Sequence, residues 1–137
     1  MTEKTHTTVS EVMTTDIITI EATATVHDAT ELMRMHHTSS VVVNRRNEAD
    51  EFGLIVVSDI ASKVLAQNLS PKRVNVFEVM SKPVLSLAAE MNIVYAVRIL
   101  SRFQLSRALV VDHDRNPLGI VTLRDMVLRN IRNVEEE

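Results

Sequence analysis

The chain of 137 residues has no cysteine and no tryptophan, only two glycines and three prolines, and four aromatic residues. Without cysteine there are no disulfides, no thiolate metal centres and no cysteine nucleophile. Gly53 and Gly119 lie too far apart to build the dinucleotide-binding or P-loop spacing, which excludes a glycine-rich phosphate cradle. Phe52, Phe77, Tyr95 and Phe103 leave the core to aliphatic side chains and methionine, and they offer no stacking platform for nucleic acid. The 15 Lys and Arg stand against 18 Asp and Glu, a net charge of −3. That balance lacks the clustered positive excess that a phosphate backbone requires, so no nucleic-acid partner is expected. No apolar run reaches the about 18 residues of a membrane span, and Met1 to Thr8 is polar. The expectation is a soluble, cytoplasmic protein with no membrane partner.

What the chain does have is repetition. Gly53-Leu-Ile-Val-Val-Ser-Asp59-Ile60 reads against Gly119-Ile-Val-Thr-Leu-Arg-Asp125-Met126 at a spacing of 66. Val12-Met13 matches Val79-Met80 at 67, and Thr38 to Asn44 matches Ser106 to Asp112 at 68. A drift of two residues that falls in turns is what a duplication tolerates. In this alignment Ser39 stands where the second repeat has Arg107.

Within each repeat the apolar periods alternate between those of strands and helices. The first offers a strand at 17–20, a helix at 26–36, buried strands at 41–43 and 54–57 and a helix at 59–67, with 44–51 as a turn. The second offers a strand at 84–87, a helix at 92–103, strands at 108–111 and 118–121 and a helix at 123–133, with 112–117 as a turn. The order is β-α-β-β-α twice, an α/β (α+β) fold, and the stretch 68–73 around Pro71 joins the halves.

This order, the opening Val-Met, the strand ending in Asp112 and the sequence Gly-Ile-Val-Thr-Leu-Arg-Asp resemble CBS (cystathionine β-synthase) domains. The tandem pair, with repeats at 8–68 and 74–133, resembles a Bateman module with pseudo-two-fold symmetry. The resemblance implies a regulatory protein that holds an adenosine-containing ligand in clefts between the repeats. That ligand is AMP, ADP or ATP, and in some members NAD or S-adenosylmethionine. It implies that each cleft joins the Ser/Thr-x-x-Asp of one repeat to the first strands of the other.

Carried over residue by residue, the first cleft takes Thr122 and Asp125, with Ile18, Thr38 and Ser39 at the adenine positions. An ionised carboxylate accepts two hydrogen bonds side by side, which suits the vicinal hydroxyls of ribose. The second cleft takes Asp59 with Ser106 and Arg107, and with Lys82 and Val84 at its mouth. A guanidinium grips phosphate in a bidentate way that Lys cannot copy. Here Val56 stands in place of the motif's hydroxyl, so the two sites are expected to be inequivalent.

Other residues have simpler accounts. His36 and His37 point about 100° apart on a helix and suit its C-terminal dipole better than a metal. Asp112, His113 and Asp114 belong to a turn with Asn116-Pro117. Arg124, Arg129 and Arg132 belong to a solvated helix face, with Arg124 within reach of a phosphate in the first cleft. No metal, no cofactor and no catalytic residues are expected, and the protein is not read as an enzyme.

The first helices of the two repeats differ. One has a polar side of His27, Asp28, Thr30, Glu31 and Arg34, while Ile93 to Leu100 is apolar nearly all round. A helix hydrophobic on every side must be covered on every side. Val94, Tyr95 and Ile99 are therefore expected at a homodimer interface, two-fold dimers being the commonest closed assembly. With only short tails outside the repeats, such a module is expected to act through an unknown effector protein. The competing reading is a structural or oligomerisation module whose clefts stay empty.

Overall fold

The structure is a computed structural model and describes residues 6–135, with side chains to 132. It divides into two compact units, each an α/β assembly of one three-stranded sheet with its helices. One unit is Ile18–Val84; the other combines the chain up to Ile17 with the chain from Leu85 onward.

In the Ile18–Val84 unit, β1 (Thr19–Ile20) is followed by α1 (Val26–His36), β2 (Ser40–Val43) and β3 (Gly53–Val56). The last helical segment starts as α2 (Val57–Ile60) and continues as a π-type turn at Ala61–Leu65. β1 runs parallel to β2, and β2 antiparallel to β3. The second unit repeats the order with β4 (Ser86–Ala88), α3 (Ile93–Arg102), β5 (Arg107–Val111), β6 (Pro117–Thr122) and α4 (Leu123–Glu135). Its pairing is the same, parallel then antiparallel. Val41, Val42 and Val43 are all buried, as the unbroken apolar run requires of a strand covered on both faces.

Each helix starts where local chemistry places it. Thr25 caps α1, its hydroxyl accepting from Asp28 N at 3.1 Å while the Asp28 carboxylate accepts from Thr25 N. Asn92 caps α3 by accepting from Val94 N. The first helix spans the expected residues, and its C-cap, His37, takes the left-handed conformation at φ 52°. The helix expected at 59–67 begins two residues earlier and gives way to the π-type turn.

The packing units cut across the sequence repeats. Val9 to Glu11 forms a 3₁₀ turn whose Val9 N donates to Met91 O and Ser10 N to Ala89 O, so it joins the second repeat's core. Val76 to Glu78 does the same for the first repeat, with Val76 N bound to Ala24 O and Phe77 N to Ala22 O. Val9 accordingly lies in the cluster of Leu87, Ile93, Ala96, Leu100 and Met126, and Val76 and Val79 lie with Ile20, Val26, Ala29 and Ile55. The Val-Met pairs read as openings of their own repeats pack on the other repeat's fold.

The expected dimer helix splits its residues between core and surface. Ile93, Ala96 and Leu100 are buried, Val94 and Tyr95 are exposed, and Ile99 packs against its own unit's core. Ile99 is partly buried, three positions after Ala96 and next to Leu100, and so stands between the inward and outward sides of the helix.

Candidate functional site

The carboxyl end of β6 and the start of β5 lie side by side. Arg107 and Thr122 are cross-strand partners, and Leu123 N donates to Ser106 O at 2.8 Å. Thr122 ends β6 and its hydroxyl accepts from Asp125 N at 3.1 Å, so this threonine, rather than the aspartate, caps α4. Asp125 occupies the first turn of α4, where the helix dipole favours a carboxylate.

Four of the expected ligand residues, Ser106, Arg107, Thr122 and Asp125, are therefore gathered at one end of one unit. The family pattern divides them between two clefts, but strand pairing makes them neighbours. Arg107 is half-buried, and burial pushes its guanidinium down from its ordinary value while the Asp125 charge pushes it back up. Its Nε donates to Ser106 Oγ at 3.4 Å. Arg124 adds a cation 3.7 Å from Asp125 at the exposed rim. A cation, a carboxylate and a hydroxyl within one helical turn can address a phosphate and a diol at once.

The matching end of the Ile18–Val84 unit is built on the same bonds with different side chains. Val57 N donates to Ser39 O at 2.9 Å, and Ser40 pairs with Val56. Ser39 thus corresponds to Ser106 and Ser40 to Arg107, which moves the sequence alignment by one residue: the counterpart of Arg107 is Ser40, not Ser39. The strand spacing is 67, as Val43 opposite Gly53 and Val110 opposite Gly119 also require. Asp59 follows in α2, half-buried, but Val56 supplies no side-chain cap. Val56→Thr is expected to supply that bond and raise stability by about 1 kcal/mol, read from denaturant midpoints.

Ile18, Thr38 and Ser39 are half-buried in this unit. Ile18 O accepts from Val42 N, and the Thr38 hydroxyl donates to Ser40 O, so Thr38 shapes the β2 start. Val84 N donates to Phe52 O. Lys82 has a partner that local sequence gives no sign of, 32 residues away. Its Nζ donates to Asp50 Oδ2 at 2.8 Å, an oxygen that also accepts from Arg46 N and Nε at 3.0 Å. These donors, Lys82 first, hold the Asp50 carboxyl well below the usual carboxylate range. Lys82 fastens the 44–51 turn in this structure.

The turn read at Asp112 to Pro117 is closed by the aspartate itself. Asp112 Oδ1 accepts from Asp114 N and Asn116 N, which closes the turn and lowers the Asp112 pKa, the Asn116 N–H bond contributing most. Among the described residues no group of three His, Asp or Glu could hold a metal ion, and no helix is long and apolar enough to cross a membrane.

Comparison with known proteins agrees with this architecture. The CBS domain family matches twice, at residues 9–66 and 76–130. An uncharacterized protein of Methanopyrus kandleri is 33% identical over 133 residues, covering 94% of this chain and 67% of its own. The hexameric CBS-CP12 protein from bloom-forming cyanobacteria superposes with a TM-score of 0.88 at 31% identity, over 92% of this chain and 69% of its own. The CBS domain pair of protein MJ0100, solved with 5′-methylthioadenosine and S-adenosyl-L-methionine, superposes at 0.78 with 25% identity, over 93% of this chain and 98% of its own. With two matched domains and the β-α-β-β-α order in each unit, this chain belongs to the CBS domain family, as a tandem pair of the Bateman type.

Proposed function

We propose that the protein is a cytoplasmic regulatory module, not an enzyme, that binds an adenosine nucleotide and signals its level to an effector protein. The observation that carries this reading is the gathering of Arg107, Thr122 and Asp125, with Ser106, beside the start of α4. Asp125 takes the ribose hydroxyls and Arg107 the phosphate, with Thr122 donating its free hydroxyl proton to an oxygen between them. The adenine falls to Ile18, Thr38 and Ser39 by family resemblance. The adenosyl ligands in the MJ0100 structure support the ligand class. AMP, ADP or ATP fits a site with a half-buried guanidinium better than an uncharged adenosine does.

The Asp59 site is the weaker of the two, since Val56 and Ser40 stand where Thr122 and Arg107 stand in the other unit. Isothermal titration calorimetry with AMP, ADP, ATP, NAD and S-adenosylmethionine tests the reading through affinity and stoichiometry. One micromolar site per chain supports it. No binding across the panel favours the structural reading, a CBS scaffold that works through its surfaces alone.

Arg107→Ala separates the two ends of the ligand. AMP is expected to bind about 30-fold more weakly, as losing a charge-assisted phosphate contact implies, while adenosine changes little. Equal loss for both would make Arg107 a structural residue.

The module is further proposed to be a homodimer. Val94 and Tyr95 on α3 and Val127, Leu128 and Ile131 on α4 are all exposed and apolar, each at 44% or more. Exposed apolar side chains on both helices of one unit are what a self-association face would cover. The hexameric state of the cyanobacterial relative supports self-association.

A further inference from the structure

The chain has seven methionines and no cysteine, so sulfur oxidation in it falls on thioethers. Met33 and Met126 are buried, Met35 is 63% exposed, and Met91 packs half-buried beside the core of its unit. Met13 and Met80 stand apart because they belong to the two lead-in segments, where both are half-buried. Each is followed by a residue that closes the edge of a sheet. Thr14 exchanges backbone bonds with Ile120 of β6, and Ser81 with Leu54 of β3.

In both units the methionine sulfur lies over the glycine of that edge strand. A Cβ at position 119 would stand 2.8 Å from Met13 Sδ and 3.0 Å from Met13 Cγ, and one at position 53 would stand 3.2 Å from Met80 Sδ. The thioether fills the room that a strand side chain would take, more tightly at Gly119. A thioether suits this seat, being apolar and only a weak acceptor. A sulfoxide does not, because its oxygen is polar and costs free energy wherever it is buried without a donor. The amides of Met13, Thr14 and Ile120 already donate to Val9 O, Ile120 O and Thr14 O. With those donors taken, the oxygen is satisfied by turning out to solvent, which empties the seat over Gly119.

We propose that Met13 is an oxidation site, and that its conversion to the sulfoxide by a peroxide loosens the lead-in from the edge of β6, with Met80 its milder counterpart on β3. A lone pair on Sδ attacks one oxygen of hydrogen peroxide and the O–O bond breaks. The displaced hydroxide takes the proton of the transferred oxygen and leaves as water. The sulfur is oxidised by two electrons and the peroxide reduced by two. Glu11 and Thr14 to Asp16 are exposed on either side, so a small oxidant reaches the segment while the core stays folded. β6 ends in Thr122, so the loosened strand is the one that leads into α4. The site stands whether or not the module binds a nucleotide.

The full chain treated with hydrogen peroxide tests this, with each methionine followed by peptide mass spectrometry and the melting temperature read after the peroxide is removed. Met35 is expected to oxidise first and leave Tm unchanged, since its sulfoxide is solvated. As the Met13 sulfoxide accumulates, Tm should fall by about 5 °C or more, and methionine sulfoxide reductase with a thiol reductant should restore it. Met13→Leu keeps the volume of the side chain and should hold its Tm under the same treatment, whereas Met80→Leu should fall as the wild type does. Untreated Met13→Gln, polar at the same length, should reproduce the loss. Hydrogen exchange gives a second readout, the amides of residues 9–14 exchanging faster in the oxidised protein. Met13 remaining a thioether after Met35 is fully converted overturns the proposal. So does a full yield of Met13 sulfoxide with Tm unchanged, or a Met13→Leu variant that loses as much Tm as the wild type.

Discussion

Asp125→Ala is expected to weaken AMP binding about 100-fold or more, beyond the reach of calorimetry for a micromolar site. The carboxylate lies in the first turn of α4, its side chain 37% exposed and close enough to Arg107 to influence it. Under the proposed function it accepts from both vicinal ribose hydroxyls. Each hydrogen bond to a charged group is worth about 1.5–3 kcal/mol, and two of them exceed the ~2.7 kcal/mol of a hundredfold change. The fold should survive, because Thr122 makes the cap bond and Asp125 is not a core residue. Two companion measurements guard the inference. Asp125→Asn keeps the shape but only one acceptor, and 2′-deoxy-AMP on the wild type removes one hydroxyl from the other side. Both should fall between wild type and Asp125→Ala. Unchanged affinity in Asp125→Ala would discard the ribose assignment, whatever the thermal melt shows.

Gly119→Ala is expected to be the most damaging single-methyl change in the chain, costing about 3 kcal/mol of stability. Neither glycine has positive φ, so backbone conformation does not explain them. Close approach does. A Cβ at position 119 would stand 2.5 Å from Thr14 O and 2.8 Å from Met13 Sδ. Thr14 cannot retreat freely, because it exchanges both backbone bonds with Ile120, at 2.8 and 2.9 Å. The lead-in segment must leave the β6 edge or the sheet must bend. At Gly53 the corresponding neighbours are Ser81 O at 3.1 Å and Met80 Sδ at 3.2 Å, where a few tenths of an ångström suffice. Gly53→Ala should cost only about 1 kcal/mol, partly offset by the reduced freedom of the unfolded chain. For a chain of this length the difference amounts to several degrees in Tm, with Gly119→Ala about 10 °C below wild type. Equal melting temperatures for the two variants would show that the lead-in segments yield easily, contrary to the paired bonds.

Much of this was legible in the residues. The helix at 26–36 is bounded by Thr25 and His37, both local signals, and every strand lies within about two residues of its apolar run. The duplication made Thr122 and Asp125 conspicuous, because a weak motif recurring at one place in two repeats is a strong one. Other features carry no local trace. The one-residue difference between Ser39 and Ser40 as counterpart of Arg107 depends on hydrogen-bond register, since side chains in a strand alternate faces and composition does not say which residue opposes Val56. The Lys82–Asp50 pair joins groups 32 residues apart. Ile99 looked like a surface residue because the whole helix is apolar, and only the positions of Ala96 and Leu100 show which side faces the core.

The sequence by itself determined the order of strands and helices, the twofold repetition, the family and the residue types at the candidate site, all of which follow from short-range pattern and chain-length spacing. The tertiary structure alone decided which pieces of chain share a core. Val9 and Val76 match at 67 residues and each is fully buried, yet each is buried against the other repeat's helix and sheet. Backbone bonds such as Val9 N to Met91 O and Val76 N to Ala24 O fix that exchange. Two nearly equal repeats offer equally apolar surfaces to either lead-in, so hydrophobicity cannot choose between them; chain connectivity and hydrogen-bond geometry do.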